Sequence, residues 1–300
     1  MTTFSVASIP DLTGTTAIVT GASSGVGQAT ARALAGAGAR VVFAVRSIAK
    51  GKAAAAATPG VTEVRELDLA SLDSVREFAA AWDGPIGLLI NNAGVSAPSL
   101  TRTADGFESA FGTNHLGHFA LTSLLLEHVT GRVVTVASQA ERFGRLDFGD
   151  LGWERRRFQP SRAYNDSKLA NLLFTAELQR RLRAAGSGVL ANAAHPGLVA
   201  TGIYHHDGPR RPADLLWPVV IRLAAQDPAH GALPVLYAAV ADVPGNSFAG
   251  PSHLAHMRGA PELIGRSAAA GDPDLARRLW DVSEQLTGVR SPLLPVPQRS

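Results

Sequence analysis

Tyr164 and Lys168 stand four positions apart in the stretch YNDSK, so a helix there would carry a phenol and an ammonium group on one face. Both groups are protonated near neutral pH when isolated in water. A unit charge at about 4 Å, with an effective dielectric near 20, favours the phenolate by roughly 4 kcal/mol before desolvation opposes it. One pKa unit is about 1.36 kcal/mol, so a phenol that ordinarily titrates near 10 moves toward working pH and can act as acid and base in turn. Such pairs also meet by chance on many helices, and the reading depends on partners. Ser138 closes the run RVVTVAS, where its hydroxyl can reach a substrate oxygen. Asn114, in GTNHLGHF, has a carboxamide able to hold a water against Lys168 and relay protons; its alternative is to satisfy a break in its own helix.

These groups converge only if the chain folds as its periodicity predicts. Short β-branched runs alternate with helical patterns: TAIVT, RVVFAV, VTEVREL, IGLLIN, RVVTVAS and VLANAA, separated by stretches such as ATARALAGAG and KLANLLFTAELQRRL. Continuous apolar strands joined through helices predict an α/β, doubly wound Rossmann fold, a parallel sheet with helices on both faces. The rhythm runs unbroken to Gly197, so residues 1–300 are read as one dinucleotide-binding catalytic domain. Residues 198–226 then read as a substrate-side loop or lid, and 251–300 as a C-terminal extension, with a helix DPAHGALPVLYAAV, a short strand near Asn246 to Ala249 and a last helix DPDLARRLWDVSEQL.

The turn TGASSGVG follows the first strand and opens the first helix, which makes Gly21, Ser23, Ser24, Gly25, Val26 and Gly27 candidates for holding a pyrophosphate at a helix N-terminus. A glycine-rich turn without a ligand is the plainer alternative. At the end of the second strand Val45 stands where an acidic residue would bind the adenosine ribose hydroxyls, and Arg46 follows. A guanidinium there suits a ribose 2′-phosphate, with Lys50 adding charge, so NADP(H) is expected rather than NAD(H); otherwise Arg46 is an ordinary surface arginine. Asp68 and Leu69 end the third strand near an expected adenine, and NNAG brings Asn92, Ala93 and Gly94 to the end of the fourth.

TGASSGVG, NNAG, Asn114, Ser138, YNDSK and HPGLVAT, in this order over almost the whole chain, resemble the short-chain dehydrogenase/reductase family. TNHLGHFALT, SKLANLLFTAELQRRL and LWDVSEQLTGV are more similar to the branch that holds retinol dehydrogenases, WW-domain oxidoreductases and protochlorophyllide reductases. The resemblance implies Tyr164 as acid/base, Lys168 lowering its pKa and holding the nicotinamide ribose, Ser138 polarising the carbonyl, and Asn114 in the proton relay. It also implies that Pro196, Gly197, Val199 and Thr201 flank the nicotinamide. His195 reads as a structural residue of that turn, with a second base as the alternative. Cysteine is absent, against the active-site cysteine of protochlorophyllide reductases. An insertion-like segment, residues 143–162, separates Ser138 from Tyr164.

Composition fits this reading. With 46% hydrophobic and 18% charged residues and a formal charge of +3, the chain reads as a globular enzyme with no nucleic-acid partner. The arginines of 155–157 and 180–183 read as a solvated face. Without cysteine no disulfide or zinc-thiolate site can form, and no metal is expected. MTTFSVASIPDLTG lacks signal-peptide character and no apolar run spans a bilayer, so a cytoplasmic protein without a membrane partner is expected, as monomer or homodimer. The expected function is interconversion of a secondary alcohol and a carbonyl on a small apolar substrate with NADP(H), reduction being preferred. Phe143, Trp153, Tyr204 and Trp217 either line an apolar pocket or serve as core. Two alternatives remain, an NADP(H)-binding sensor or scaffold without turnover, and an epimerase or dehydratase using the same Tyr and Lys.

Overall fold

The computed structural model describes residues 3–199 and 226–293. Eight strands form one sheet in the order β3-β2-β1-β4-β5-β6-β7-β8. The first six are β1 (Thr16–Thr20), β2 (Arg40–Val45), β3 (Thr62–Glu66), β4 (Ile86–Asn91), β5 (Val129–Val136) and β6 (Leu190–Ala194). These six and β7 (Phe248–His253) pair in parallel, whereas β8 (Arg258–Leu263) pairs antiparallel to β7. Residues Val41 to Val45 of β2 are all buried, as expected of a strand covered on both faces.

The helices divide between the two faces. The first, α1 (Gly25–Gly36), packs with a later helix over one face; its own Val26, Ala31 and Leu34 join Val19, Phe43 and Ile90 in that core. On this side too lies α2 (Ile48–Ala56). The opposite face is covered by α3 (Leu72–Ala80) and by a helix that runs as α4 (Ser109–Phe111), a π-turn (Gly112–Leu116) and α5 (Gly117–Leu125). The 25-residue α6 (Pro160–Ala184) lies there as well; Pro160 sits in its first turn, where a missing N–H costs nothing. Next come α7 (Pro228–Val240), the partner of α1, and α8 (Pro273–Thr287), which ends at Gly288 with a left-handed φ of 65°.

At the edge of the parallel sheet β8 pairs antiparallel with the strand expected near Asn246 to Ala249, which runs Phe248–His253. The C-terminal residues pack into the core: Trp280 of α8 is 2% exposed, stacks on Phe174 at 5.8 Å and meets Phe119 edge-on at 5.0 Å. One expectation is corrected. Arg181 is not on a solvated face: its side chain is 4% exposed, its Nε lies 2.7 Å from Glu177 Oε1 and its guanidinium covers the Trp280 ring. No helix among the described residues is long and apolar enough to cross a membrane.

Candidate active site

Sheet order reverses between β1 and β4, and at the carboxyl ends of these strands an open crevice of ≈ 500 Å³ forms. Its floor follows from the glycine turn. Gly21 and Gly25 adopt positive φ of 66° and 58°, accessible to glycine at little cost. At Gly27 a Cβ would fall against Asn92 Nδ2 and 2.6 Å from the Gly21 carbonyl, so only glycine lets the turn close. The loop after β4 is tied to the same turn: Asn92 Nδ2 donates to the Thr20 carbonyl at 2.8 Å, and the amides of Asn92 and Ala93 donate to Thr20 Oγ1 at 2.9 and 3.0 Å.

Every cofactor-binding position nominated from the sequence lines this crevice except Thr201, which lies outside the described residues, as do Tyr204 and Trp217. Arg46 and Lys50 project at one end, both exposed and neither in an ion pair among the described residues. Asp68 is adjacent; one of its carboxylate oxygens accepts from the Ala70 amide at 2.9 Å. The residues present therefore fit a nicotinamide dinucleotide: a backbone cradle that a Cβ would fill, an open helix N-terminus and unpaired cations. Among the described residues no cluster of His, Asp or Glu could hold a metal.

At the other end stand Ser138, Tyr164 and Lys168. Ser138 caps a short 3-10 turn, its Oγ accepting from the Ala140 amide at 3.2 Å, which leaves its hydrogen to donate elsewhere. Lys168 Nζ lies 5.4 Å from the centroid of the Tyr164 ring and donates to the Val136 carbonyl at 3.1 Å. Sequence reasoning treats this ammonium as a permanent charge. It is 3% exposed, and burial pulls its pKa down to about 8, so its charge is lost just above neutrality.

Asn114 sits inside the π-turn, fully buried, and does not itself line the crevice. Its carboxamide clamps Val95, accepting from the amide at 2.7 Å and donating to the carbonyl at 3.0 Å, and donates also to Ser167 Oγ at 3.0 Å. It lies beside the same glycine as Lys168: a Cβ on Gly94 would lie 3.4 Å from Asn114 Oδ1 and 3.5 Å from Lys168 Nζ. Both polar ends thus face the space that Gly94 leaves open.

Of the four aromatic residues named for a pocket wall or the core, the two that are described do not line the crevice. Phe143 is 76% exposed and Trp153 is 4% exposed, and neither lines the crevice. Trp153 instead organises the inserted segment, stacked under the Arg156 guanidinium at 3.8 Å and edge-on to Phe158 at 5.4 Å. Asp166 of YNDSK holds that segment by accepting from the Arg145 amide at 2.7 Å; burial, opposed by that bond and by Arg162 and Arg156, pushes its pKa up to about 6. His195 lines the crevice but is buried, its pKa pushed down to about 3, which holds the ring neutral. Sequence reasoning missed Thr20 and His118. The available signals were that Thr20 directly precedes Gly21 and that His118 lies one helical turn beyond Asn114.

The model of the short chain dehydrogenase family matches residues 15–211. Human retinol dehydrogenase 13 is 42% identical over 316 residues, covering 98% of this chain and 91% of that protein. The crystal structure of an uncharacterized protein from Mycobacterium Paratuberculosis is 49% identical, superposes with a TM-score of 0.85 and covers 97% of this chain and 100% of the other. A Beutenbergia cavernae protein assigned as an NAD(P) dependent gluconate 5-dehydrogenase, solved with NADP bound at low occupancy, is 29% identical, with a TM-score of 0.58 over 77% of this chain and 91% of that one.

Proposed function

The chain belongs to the short chain dehydrogenase family and is an oxidoreductase; we propose that it interconverts a secondary alcohol and a carbonyl on a small apolar substrate with NADP(H), Tyr164 acting as the acid and base. One observation carries this reading: Ser138, Tyr164 and buried Lys168 meet in the same crevice as the glycine cradle. NADP(H) is favoured over NAD(H) by Arg46 and Lys50, exposed beside Val45 where a carboxylate would repel a phosphate. The Beutenbergia cavernae protein solved with NADP is consistent with that choice, and the retinol dehydrogenase likeness with an apolar substrate.

Gly21, Gly25 and Gly27 would receive the pyrophosphate, Arg46 the 2′-phosphate, and Lys168 with Pro196 and Gly197 the nicotinamide end. The nicotinamide, when bound, supplies or accepts the hydride. The protein handles the substrate oxygen. Ser138 donates its unshared hydrogen to that oxygen as negative charge builds there. In reduction Tyr164 gives its phenolic proton to the same oxygen; in oxidation it removes the alcohol proton. Lys168, cationic below about 8, stabilises the resulting phenolate, and the gap over Gly94 connects it to Asn114 for reprotonation.

Tyr164→Phe tests this. NADPH should bind within about threefold of the unmodified protein while kcat falls at least about a thousandfold, the upper range of general acid–base catalysis. Stopped consumption of NADPH against a carbonyl panel gives the measurement, and undiminished turnover would remove Tyr164 from the chemistry.

A further inference from the structure

We propose that His118, on the oxidoreductase reading above, is a positioning residue that bridges the floor of the cofactor crevice to Asn114. His118 lies on α5, is 1% exposed and touches neither the crevice nor Lys168 by a hydrogen bond. Its Nδ1 stands 3.0 Å from the main-chain carbonyl of Asn114. A carbonyl only accepts, so Nδ1 carries the hydrogen. In the neutral ring Nε2 is then bare, and it accepts from Thr20 Oγ1 at 2.9 Å. Thr20 Oγ1 in turn accepts from the Asn92 and Ala93 amides, which occupies both of its lone pairs. A second acceptor for the Thr20 hydrogen, the Ile90 carbonyl, lies farther away at 3.3 Å.

Donors and acceptors therefore align in one direction, from the amides of the Asn92–Ala93 loop through Thr20 and the imidazole to Asn114. Each bond polarises the next, and no member can reverse alone. Protonating the ring would aim a second hydrogen at a hydroxyl oxygen with no lone pair left. The surroundings oppose that proton: burial first and the charge of Lys168 last lower the pKa of His118 to about 4, against the bond to Asn114, which raises it. His115, also buried, and Lys168 are the titratable groups that face it.

The bridge reaches Asn114 inside the π-turn. There the Gly117 amide donates to the Gly112 carbonyl, one residue longer than the α-helical spacing, and the ladder is reset at the residue whose side chain approaches Lys168. His118 supplies the Asn114 carbonyl with a donor from a side chain, one turn on, and anchors it to the cofactor floor.

Two variants of the full-length protein test this. His118→Phe keeps the ring and removes both hydrogen bonds, whereas His118→Gln keeps one donor and one acceptor. Because Thr20 can still donate to Ile90, NADPH affinity measured by fluorescence should stay within about threefold in both. In His118→Phe, kcat should fall about tenfold or more and the alkaline limb of the kcat profile should shift, with recovery in His118→Gln. Nitrogen-15 spectra of the cofactor-free protein should show His118 as the neutral Nδ1–H tautomer at pH 6. A lower melting temperature with kcat and pH profile unchanged overturns the proposal, as does an Nε2–H tautomer. Should the unmodified protein bind no NADP(H) and reduce no carbonyl, the oxidoreductase reading fails, while the tautomer still decides the bridge.

Discussion

Replacing Gly94, which lines the crevice, with alanine tests the proposed proton relay. The added methyl meets nothing closer than Asn114 Oδ1 at 3.4 Å and Lys168 Nζ at 3.5 Å, which is ordinary contact, and Gly94 does not use a left-handed φ. Gly94→Ala should therefore fold with a melting temperature close to the parent. What changes is the gap. Lys168 commits one hydrogen to the Val136 carbonyl, and Asn114 Oδ1 one lone pair to the Val95 amide. A water between them would use what remains; a methyl excludes it. A hydrogen bond to a charged group contributes about 1.5–3 kcal/mol, so its loss should lower kcat roughly 10- to 100-fold. The methyl also desolvates the ammonium further, which moves its pKa below about 8. On the proposed mechanism activity needs the charged lysine and falls as pH rises, so the alkaline limb should move to lower pH. NADPH affinity and kcat measured from about one pH unit below neutrality to about one unit above the lysine value of about 8 give the assay. Unchanged kcat and an unmoved limb in a folded variant would refute the relay across Gly94.

Arg46→Ala should weaken NADPH about tenfold or more and leave NADH unchanged, an effect that shrinks at high salt because the guanidinium is exposed; equal affinities in the unmodified protein remove the preference. In the unmodified enzyme kcat for reduction should decline as Lys168 loses its charge, at about 8, and a profile flat to about pH 10 would contradict it. Acid should unfold the protein steeply. His115, His118 and His195 have pKa values lowered to about 3, 4 and 3 from 6.5, so at pH 5 each is neutral when folded and takes up a proton on unfolding. Asp166, raised to about 6, is protonated when folded and releases its proton. Glu108, also raised by burial, acts in the same sense as Asp166, but the three histidines outweigh the two carboxyls, so unfolding takes up protons and stability should fall on acidification through pH 5. Denaturant midpoints that do not change between about pH 6 and pH 4.5 would show that these rings are solvated.

What the sequence made legible was local. Gly21, Gly25 and Gly27 adjoin a strand and a helix that their own periodicity defines, and Tyr164 and Lys168 are joined by one helical turn, so short-range rules suffice. The features that escaped depend on contacts distant in sequence. Strand β8 contains Pro261 and has no alternation; it exists because the β7 edge is there to pair with. Trp280 and Arg181 enter the core through each other and through Phe174 and Phe119. The hydrogen bond between Thr20 and His118 spans 98 positions, and nothing in either neighbourhood announces it. Phe143 and Trp153 were ambiguous because an aromatic side chain serves a loop's own packing as readily as a pocket wall.

The middle of YNDSK explains how the outer pair keeps its charge coupling. Asp166 stands two residues from both Tyr164 and Lys168, about 200° round the helix from each, so its carboxylate points away from the crevice. There it accepts from the Arg145 amide at 2.7 Å and lies 4.0 Å from both Arg162 Nε and a terminal nitrogen of Arg156. On the other face a carboxylate would neutralise Lys168 and remove the field on the phenol. As built, Lys168 has no acidic partner among the described residues; its fixed neighbour is the Val136 carbonyl, which Asn171 Nδ2 also contacts at 3.1 Å. Burial makes that uncompensated cation costly, which is why its pKa falls to about 8. The same burial strengthens its attraction for a negative charge that forms beside it. A phenolate forming on Tyr164 would offset part of that cost, while burial on its own favours the neutral form of the lysine.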